Sequence, residues 1–250
     1  MWMLILMPIA HLVDKFRRTS VVLGLWNTVL FAVSRVLDSA TGSRFRLVRY
    51  YFVAQPVTLL SASDYSEISR TGPFTLSWVD ADCPDFSQTE RPASVLAARF
   101  AQGARCLMAT YGAHKEFAGF IWFVIGSYDE DEVRARFMPQ PVGQTSWDFD
   151  VSIAPRFRMS RLFSYLWRAA NAEMSSLGVT CSFSRISAFN ATSLTSHQRL
   201  GGFVMGKATF LCVGKLQLMI STLYPRLHIS WCDRQRPEIK LASNYGVNVS

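Results

Sequence analysis

The region from residue 146 to 206 constrains the fold most, because short apolar strands alternate there with amphipathic helices over short connections. Period-two alternation predicts strands, whereas apolar residues that recur every three or four positions predict helices. The predicted strands are 147–153, 180–188, 203–211 and 215–221, and the predicted helices are 160–177 and 192–200. Gly178 and Gly201 follow the two helices where helices commonly end. This β-α-β-α-β-β order requires a mixed sheet covered by helices.

The region before residue 146 adds further strands to this sheet. The additional elements are a strand at 46–57, a helix at 92–102 and a hairpin formed by 105–111 and 117–126. We interpret 61–91 and 128–144 as mainly loop with at most a short helix, and 222–250 as an appended strand or a flexible tail. The predicted fold class is therefore α/β (α+β), with a mixed, mostly antiparallel central sheet flanked by helices.

The N-terminal segment contains two apolar stretches, 1–10 and 21–37, on either side of the basic residues Lys15, Arg17 and Arg18. Neither stretch has the roughly 20 uninterrupted apolar residues of a membrane-spanning helix. A signal peptide carries its positive charges before its apolar core, whereas here they follow it. We therefore expect neither a spanning helix nor export.

From Ser20 onward the apolar period predicts an amphipathic helix that ends at Gly42. Two interpretations of its apolar face stay open. The helix packs on its own domain or on a partner chain, or it makes peripheral contact with a membrane through residues 15–37. We divide the chain accordingly into an amphipathic extension at 1–42, the sheet-and-helix domain at 43–221 and the tail at 222–250.

Composition limits the partners. The net charge is +8 with a pI near 9.5, which favours an acidic partner such as nucleic acid, an anionic membrane, a phosphate-rich cofactor or an acidic carrier protein. The sequence has no helix-turn-helix or zinc-finger signature, so we expect no nucleic acid. The five cysteines are widely separated and lack the spacing of metal ligands or of a disulfide framework. We therefore expect no metal and a reducing, cytoplasmic location.

Two blocks, 151–163 and 184–203, resemble a known family. The first reads Val-Ser-Ile-Ala-Pro-Arg-Phe-Arg-Met-Ser-Arg-Leu-Phe and opens the predicted helix 160–177. It resembles the acyl-CoA-binding segment of GNAT N-acetyltransferases, where a strand and a proline lead into an Arg-Gly-x-Gly-x-Gly/Ala turn. The second block, from Asn190 through His197 to the Gly-Gly-Phe ending at Phe203, resembles the Asn-x-x-(Ala/Ser)-x-x-x-Tyr-x-(Lys/Arg)-x-Gly-Phe block that follows in that family.

The resemblance implies an N-acyltransferase that uses acetyl-CoA or another acyl-CoA as donor and an amine as acceptor. By resemblance, the backbone amides around Val151 and Ile153 hold the pantetheine arm, and Asn190 lies near the thioester end or the cofactor arm. Independently of the family, a helix N-terminus attracts phosphate groups. The side chains that we expect to support such a phosphate site are Arg156, Arg158, Ser160 and Arg161.

The phosphate turn departs from the family pattern because Met159, Arg161 and Phe163 stand where the family has glycines. Two explanations stay open. Either the arginines and Ser160 contact the phosphates, or the donor is an acyl carrier protein that presents pantetheine through a single phosphate. A third interpretation is a noncatalytic GNAT-like binding module.

Three residues are candidates for acid-base catalysis. His197 occupies the position of the family's tyrosine, and an imidazole can accept or donate a proton near neutral pH. Asp148 and Asp150 alternate along the predicted strand, so both carboxylates are expected on one face, where either could serve as base or bind a cationic amine. Alternatively, these aspartates pair with arginines such as Arg185 or cap nearby loops. The alternative for His197 is a structural role.

Overall fold

The computed structural model of the protein describes residue 14 and the ranges 17–42, 44–58, 72–89 and 91–242. In chain order the elements are α1 (Arg17–Leu23), α2 (Leu25–Thr41), β1 (Phe45–Pro56), β2 (Phe74–Val79), α3 (Ala93–Ala101), β3 (Arg105–Tyr111), β4 (Glu116–Ile125), β5 (Tyr128–Asp129), β6 (Arg136–Gln140), β7 (Thr145–Ile153), α4 (Leu162–Ser176), β8 (Cys181–Ser187), α5 (Ala191–Arg199), β9 (Phe203–Val213), β10 (Leu216–Ser221), β11 (Leu227–Ser230) and β12 (Glu238–Ala242). Two short 3-10 helices occupy Pro84–Gln88 and Pro155–Phe157.

The chain forms two compact units. Unit 1 consists of Met1–Val53 and Arg185–Pro237, and unit 2 consists of Ala54–Ser184 and Glu238–Ser250. The divisions fall inside β1 and β8, so each of these strands contributes to both units.

Unit 1 is built on strands in the order β11-β10-β9-β1. The pairs β9–β10 and β10–β11 are antiparallel, with Phe210 opposite Met219 and Met219 opposite His228. The helix α2 is attached to β1 by the side-chain amide of Asn27, which donates a hydrogen bond to the Tyr51 hydroxyl at 2.8 Å. The helix ends at Gly42, whose left-handed backbone (φ 57°) suits glycine.

Unit 2 contains strands in the order β8-β7-β4-β3-β2, of which β7 and β8 are parallel and the other pairs antiparallel. A separate three-stranded sheet has the order β12-β6-β5. The helix α4 packs on β3, β4 and β7 and buries Leu162, Leu166 and Met174. The fully buried Trp122 packs against Phe86, Phe100 and Phe149, which makes aromatic contacts the main part of this core.

The predicted mixed, mostly antiparallel sheet with flanking helices is confirmed. The element order across 146–221 also agrees, with ends shifted by one to two residues. Two predicted loops were wrong, because 61–91 contains β2 and 128–144 contains β5 and β6. The predicted tail holds β11 and β12, which pair with β10 and β6.

Among the described residues, no single helix is both long and apolar enough to cross a membrane. The helices α1 and α2 together have the length and composition of a span, but the chain bends by 117° between them at Gly24. This glycine has a positive φ of 78°, which glycine adopts without steric cost.

Candidate functional site

The strand β7 carries an irregularity at the point where it approaches α4. Along β4 and β7, Trp122 pairs with Phe149 and Phe120 pairs with Ser152, so the register shifts and β7 has an additional residue between these pairs. Asp150 lies in this β-bulge with a φ of 48°, a left-handed conformation that is uncommon for residues other than glycine, although aspartate tolerates it better than most. The bulge therefore changes the direction of β7 just before its last three residues.

Two arginines fix the bulge by binding the carboxylate of Asp150. Arg91 donates through Nε and Nη2 to the two carboxylate oxygens at 2.7 and 2.5 Å, and Arg99 of α3 donates through Nη1 at 2.5 Å. Arg99 also binds Asp131 at 2.7 Å and lies over the rings of Trp122 and Phe149. Burial alone raises the pKa of Asp150, but the hydrogen bonds from Arg91 and the charge of Arg99 outweigh it and hold the pKa below its ordinary value.

The carboxyl of Asp148 has a very different environment. It is 1% exposed and accepts a hydrogen bond from the Ser182 hydroxyl at 2.8 Å, and Ser182 in turn accepts one from Ser146 at 2.8 Å. Its second oxygen, Oδ1, has no hydrogen-bond partner within the described ranges. Burial raises the pKa of Asp148 to about 7, and the Ser182 hydrogen bond only partly opposes this. The pKa of this carboxyl is thus much closer to neutral pH than that of an ordinary aspartate.

The expectation that both aspartates share one face of β7 was wrong. Asp148 shares its face with Ser146, whose hydroxyl contacts Met174 of α4 at 3.0 Å. Asp150 instead binds Arg99, which lies over Phe149, a residue that points to the opposite side of β7 from Asp148. The bulge at Asp150 interrupts the period-two alternation, and this is why the simple pattern failed.

After β7, the chain turns into α4 through residues 154–161. The backbone amide of Ala154 donates to Ala118 at 2.9 Å, and Phe157 packs into the core beside Phe74 and Tyr111. The Ser160 hydroxyl accepts a hydrogen bond from the amide of Leu162 at 3.2 Å, which satisfies one donor of the first helical turn. The hydrogen bond of Ala154 and the packing of Phe157 therefore anchor this turn to the core of unit 2.

The arginines of this turn differ in availability. Arg156 binds Glu116 at 2.7 Å and lies over Tyr111 and Phe157, so its charge is already compensated. Arg158 is exposed and makes a weak hydrogen bond to the carbonyl of Ile153 at 3.3 Å, and Arg161 is exposed at the N-cap of α4. Met159, in one of the positions where the family has glycine, is 100% exposed and points away from the core.

The remaining predicted residues of β7, Val151 and Ile153, are half-buried. Ile153 pairs with Gly119 of β4, where a Cβ on Gly119 would lie 2.6 Å from the Ser152 carbonyl. This close backbone contact permits no larger residue at position 119 without a shift of β4 or β7.

Two predicted residues, His197 and Asn190, belong to unit 1. Asn190 is the N-cap of α5, and its side-chain oxygen accepts a hydrogen bond from the amide of Ser193 at 3.0 Å. His197 is 3% exposed, and burial lowers its pKa to about 4. The imidazole is therefore neutral at physiological pH. The backbone carbonyl of His197 accepts a hydrogen bond from the amide of Gly202 at 2.9 Å. A Cβ on Gly202 would lie 2.8 Å from the same carbonyl oxygen.

Comparisons with known proteins give similarity of fold. No known family profile matches the sequence, and no curated protein matches it. Solved structures with a similar fold include a conserved protein of unknown function from Staphylococcus epidermidis, with 11% identity and a TM-score of 0.43 over 71% of this chain and 66% of that one. A protein from Novosphingobium aromaticivorans assigned to the GNAT acetyltransferases has 15% identity and a TM-score of 0.45 over 66% and 63%.

A tandem GNAT protein from the clavulanic acid biosynthesis pathway is similar as well, with 12% identity and a TM-score of 0.44 over 71% of this chain and 57% of that one. The chain spans between 57% and 66% of the length of these three structures, which is less than two thirds of each.

Sequence reasoning missed the groups that hold the site. Arg91 and Arg99 precede Asp150 by 59 and 51 positions, and no spacing rule connects residues so far apart. The hydrogen-bond chain Ser146–Ser182–Asp148 joins residues of β7 and β8. It could be predicted only by knowing the parallel register of these strands, which places Asp148 opposite Ser184. The one available signal was Arg99, which stands within the apolar pattern of α3. An arginine in a buried position indicates an acidic partner, because unpaired arginine is rarely buried.

Proposed function

We propose that the protein is a GNAT-type acyltransferase that transfers an acyl group from acyl-CoA to an amine in the cytoplasm. The observation that carries this proposal is the bulged strand β7, which runs through an anchored turn directly into the N-terminus of α4. This arrangement presents exposed arginines beside backbone N–H groups, as anion binding requires. The sequence resemblance in 151–163 supports the same assignment.

Phosphate binding falls to the start of α4. Arg158 and Arg161 are exposed cations of this turn. The Ser160 hydroxyl donates to the Phe157 carbonyl at 2.7 Å, so it has to rotate away from that carbonyl before it can donate to a phosphate. We assign Arg156 a structural role, because Glu116 already compensates its charge. Side-chain charges thus substitute for the close backbone approach that glycines permit in the family.

Proton transfer falls to Asp148, since a base with a pKa near 7 is matched to neutral pH. The carboxyl is almost fully buried, so the Ser182 hydroxyl or a water molecule has to relay the proton from the ammonium group of the acceptor. The deprotonated amine then attacks the thioester carbonyl and the carbon–sulfur bond breaks. The leaving thiolate takes up the proton that the attacking nitrogen loses as the amide forms.

Asp150 and His197 have other roles in this proposal. The Asp150 carboxylate is occupied by two arginines, so it is a positioning residue that fixes the bulge. His197, with a pKa of about 4, is not an imidazolium at neutral pH and therefore does not act as the general acid.

Calorimetric titration of the full chain tests the proposal, with acetyl-CoA, longer acyl-CoAs and an acylated carrier protein as ligands. We expect micromolar binding of an acyl-CoA that Arg158→Ala combined with Arg161→Ala abolishes. The control is Arg226→Ala combined with Arg234→Ala, which removes the same charge from exposed positions elsewhere. Binding of the carrier protein alone would assign the donor to that protein. Binding of neither would refute acyl transfer and favour a noncatalytic module.

A further inference from the structure

The helix α2 packs against the rest of unit 1 with a side that mixes polar and apolar residues. Its buried residues are Asn27 and Thr28. The Asn27 amide donates to the Tyr51 hydroxyl of β1 at 2.8 Å, and Ser34 donates to the Leu47 carbonyl at 3.4 Å. Leu30 and Leu37 are half-buried on this side, so the inward side of α2 is only partly apolar and leaves much of its apolar surface outside.

The outward side of α2 is apolar. Trp26 is 66% exposed and Val36 is 65% exposed. The exposed apolar residues of this side recur at helical spacing and form one stripe: Leu25, Trp26, Val29, Val33 and Val36. A contiguous exposed apolar stripe is typical of an interaction surface.

A second apolar surface lies on the same face of the unit 1 sheet as α2. Tyr51, which contacts α2, shares a face of β1 with Arg49, and Arg49 donates to the Thr209 hydroxyl of β9 at 2.9 Å. Thr209 pairs with Ile220 of β10, and Ile220 pairs with Leu227 of β11. The exposed apolar residues on these strands and just after them include Val213, Ile220, Leu227, Ile229 and Trp231.

The positive charge of the chain is concentrated in unit 1. This unit has 14 of the 26 Lys and Arg residues but three of the 18 Asp and Glu residues, which gives a net charge of +11. Unit 2 has the other 12 and 15, and its net charge is −3. Arg35 is exposed on α2, which carries the apolar stripe, and Arg17 is exposed on α1 just before it. Apolar and basic surface are therefore combined in one unit.

We infer that unit 1 docks on an anionic lipid bilayer, with the apolar stripe of α2 inserted at the interface and the arginines on the lipid headgroups. Apolar area and basic charge act together in such binding. A second copy of the chain that docks through its own unit 1 fits the surface less well, because it would bring a charge of +11 against a charge of +11. This docking is separate from acyl transfer, whose residues on β7 and α4 lie in unit 2.

Vesicle co-sedimentation of the full chain tests this inference. The probes are vesicles of phosphatidylcholine alone and of equal parts phosphatidylcholine and phosphatidylglycerol. We expect binding to the anionic vesicles, at least about tenfold weaker for Trp26→Gln combined with Val36→Gln. The matched control is Val142→Gln combined with Leu177→Gln, two exposed apolar residues of unit 2, which is expected to bind as the unaltered chain does. Arg17→Gln and Arg35→Gln are each expected to weaken binding about fivefold.

Four outcomes would overturn the inference. Two of them concern the unaltered chain: no binding to either vesicle, or equal binding to uncharged and anionic vesicles. The third is an equal loss of vesicle binding in the unit 1 pair and the unit 2 pair of apolar substitutions. The fourth is a dimer in light scattering that Trp26→Gln with Val36→Gln dissociates. Acyl-CoA binding should be unchanged in both apolar pairs, so failure of the docking and failure of acyl transfer are distinguishable.

Discussion

Replacement of Asp150 by asparagine removes the charge at the centre of the β7 bulge and leaves the shape nearly unchanged. Asparagine tolerates a positive φ as well as aspartate does, so the substitution isolates electrostatics from backbone strain. Arg99, whose side chain is 5% exposed, would keep Asp131 as partner but lose its 2.5 Å bond to Asp150. Removal of one partner from a buried ion pair costs about 3 to 5 kcal/mol, and the remaining Asp131 contact places our expectation near 3 kcal/mol.

Asp129→Asn is the matched control, because Asp129 also binds an arginine, Arg136, through both carboxylate oxygens. That pair is considerably more exposed, and exposed pairs contribute about 0 to 1 kcal/mol. The assay is urea unfolding at pH 7 followed by tryptophan fluorescence. If Asp150→Asn lowered the free energy of unfolding no more than Asp129→Asn does, the two arginines would not be stabilising the bulge.

The pH dependence of this difference supplies a second check. The pKa of Asp150 is lowered in the folded state, so its contribution is present above the unfolded pKa and is lost as pH falls through the folded pKa. The stability difference between the unaltered chain and Asp150→Asn should therefore be constant from pH 8 to about 5 and narrow below about pH 4. A difference that narrows near pH 6 would contradict the assignment.

Three further predictions concern single positions. The pKa of Asp148 is raised to about 7, so the folded state binds its proton more tightly, and Asp148→Asn should gain stability relative to the unaltered chain as pH rises from about 4 to 7. Urea midpoints that stay parallel across this range would count against it. The pKa of His197 is lowered to about 4, so its NMR titration should show a neutral imidazole down to about pH 5. The free energy of unfolding should fall as pH drops from about 6.5, because the unfolded state then binds a proton that the folded state does not. A titration midpoint near pH 6.5 would show an exposed imidazole. Gly202→Ala should lower the free energy of unfolding by about 1 to 3 kcal/mol and with it the melting temperature, because its Cβ would lie 2.8 Å from the His197 carbonyl and 3.1 Å from Val53. An unchanged melting temperature would mean that the turn after α5 adapts freely.

The sequence by itself determined the elements whose signals are local. The helical period of 160–177 and the glycine after it predicted α4 closely, because a helix forms its hydrogen bonds within its own segment. Its start lies two residues later than predicted, since the 3-10 turn and the Ser160 hydroxyl occupy the residues before Leu162. The sequence also placed Arg158 and Arg161 at a helix start, which is where the structure has them.

Only the tertiary structure decided features that depend on distant partners. The strand β6 is paired along its length by β12, about 100 residues later, so nothing within 128–144 revealed it. The direction of the Asp150 carboxylate depends on a bulge and on arginines far upstream. The amphipathic pattern of α2 predicted a helix with two faces, yet the inward face includes the buried Asn27, which is hydrogen-bonded to Tyr51, whereas Trp26 and Val36 are exposed. A periodic pattern defines the faces of an element, whereas the surface it packs against decides which face is buried.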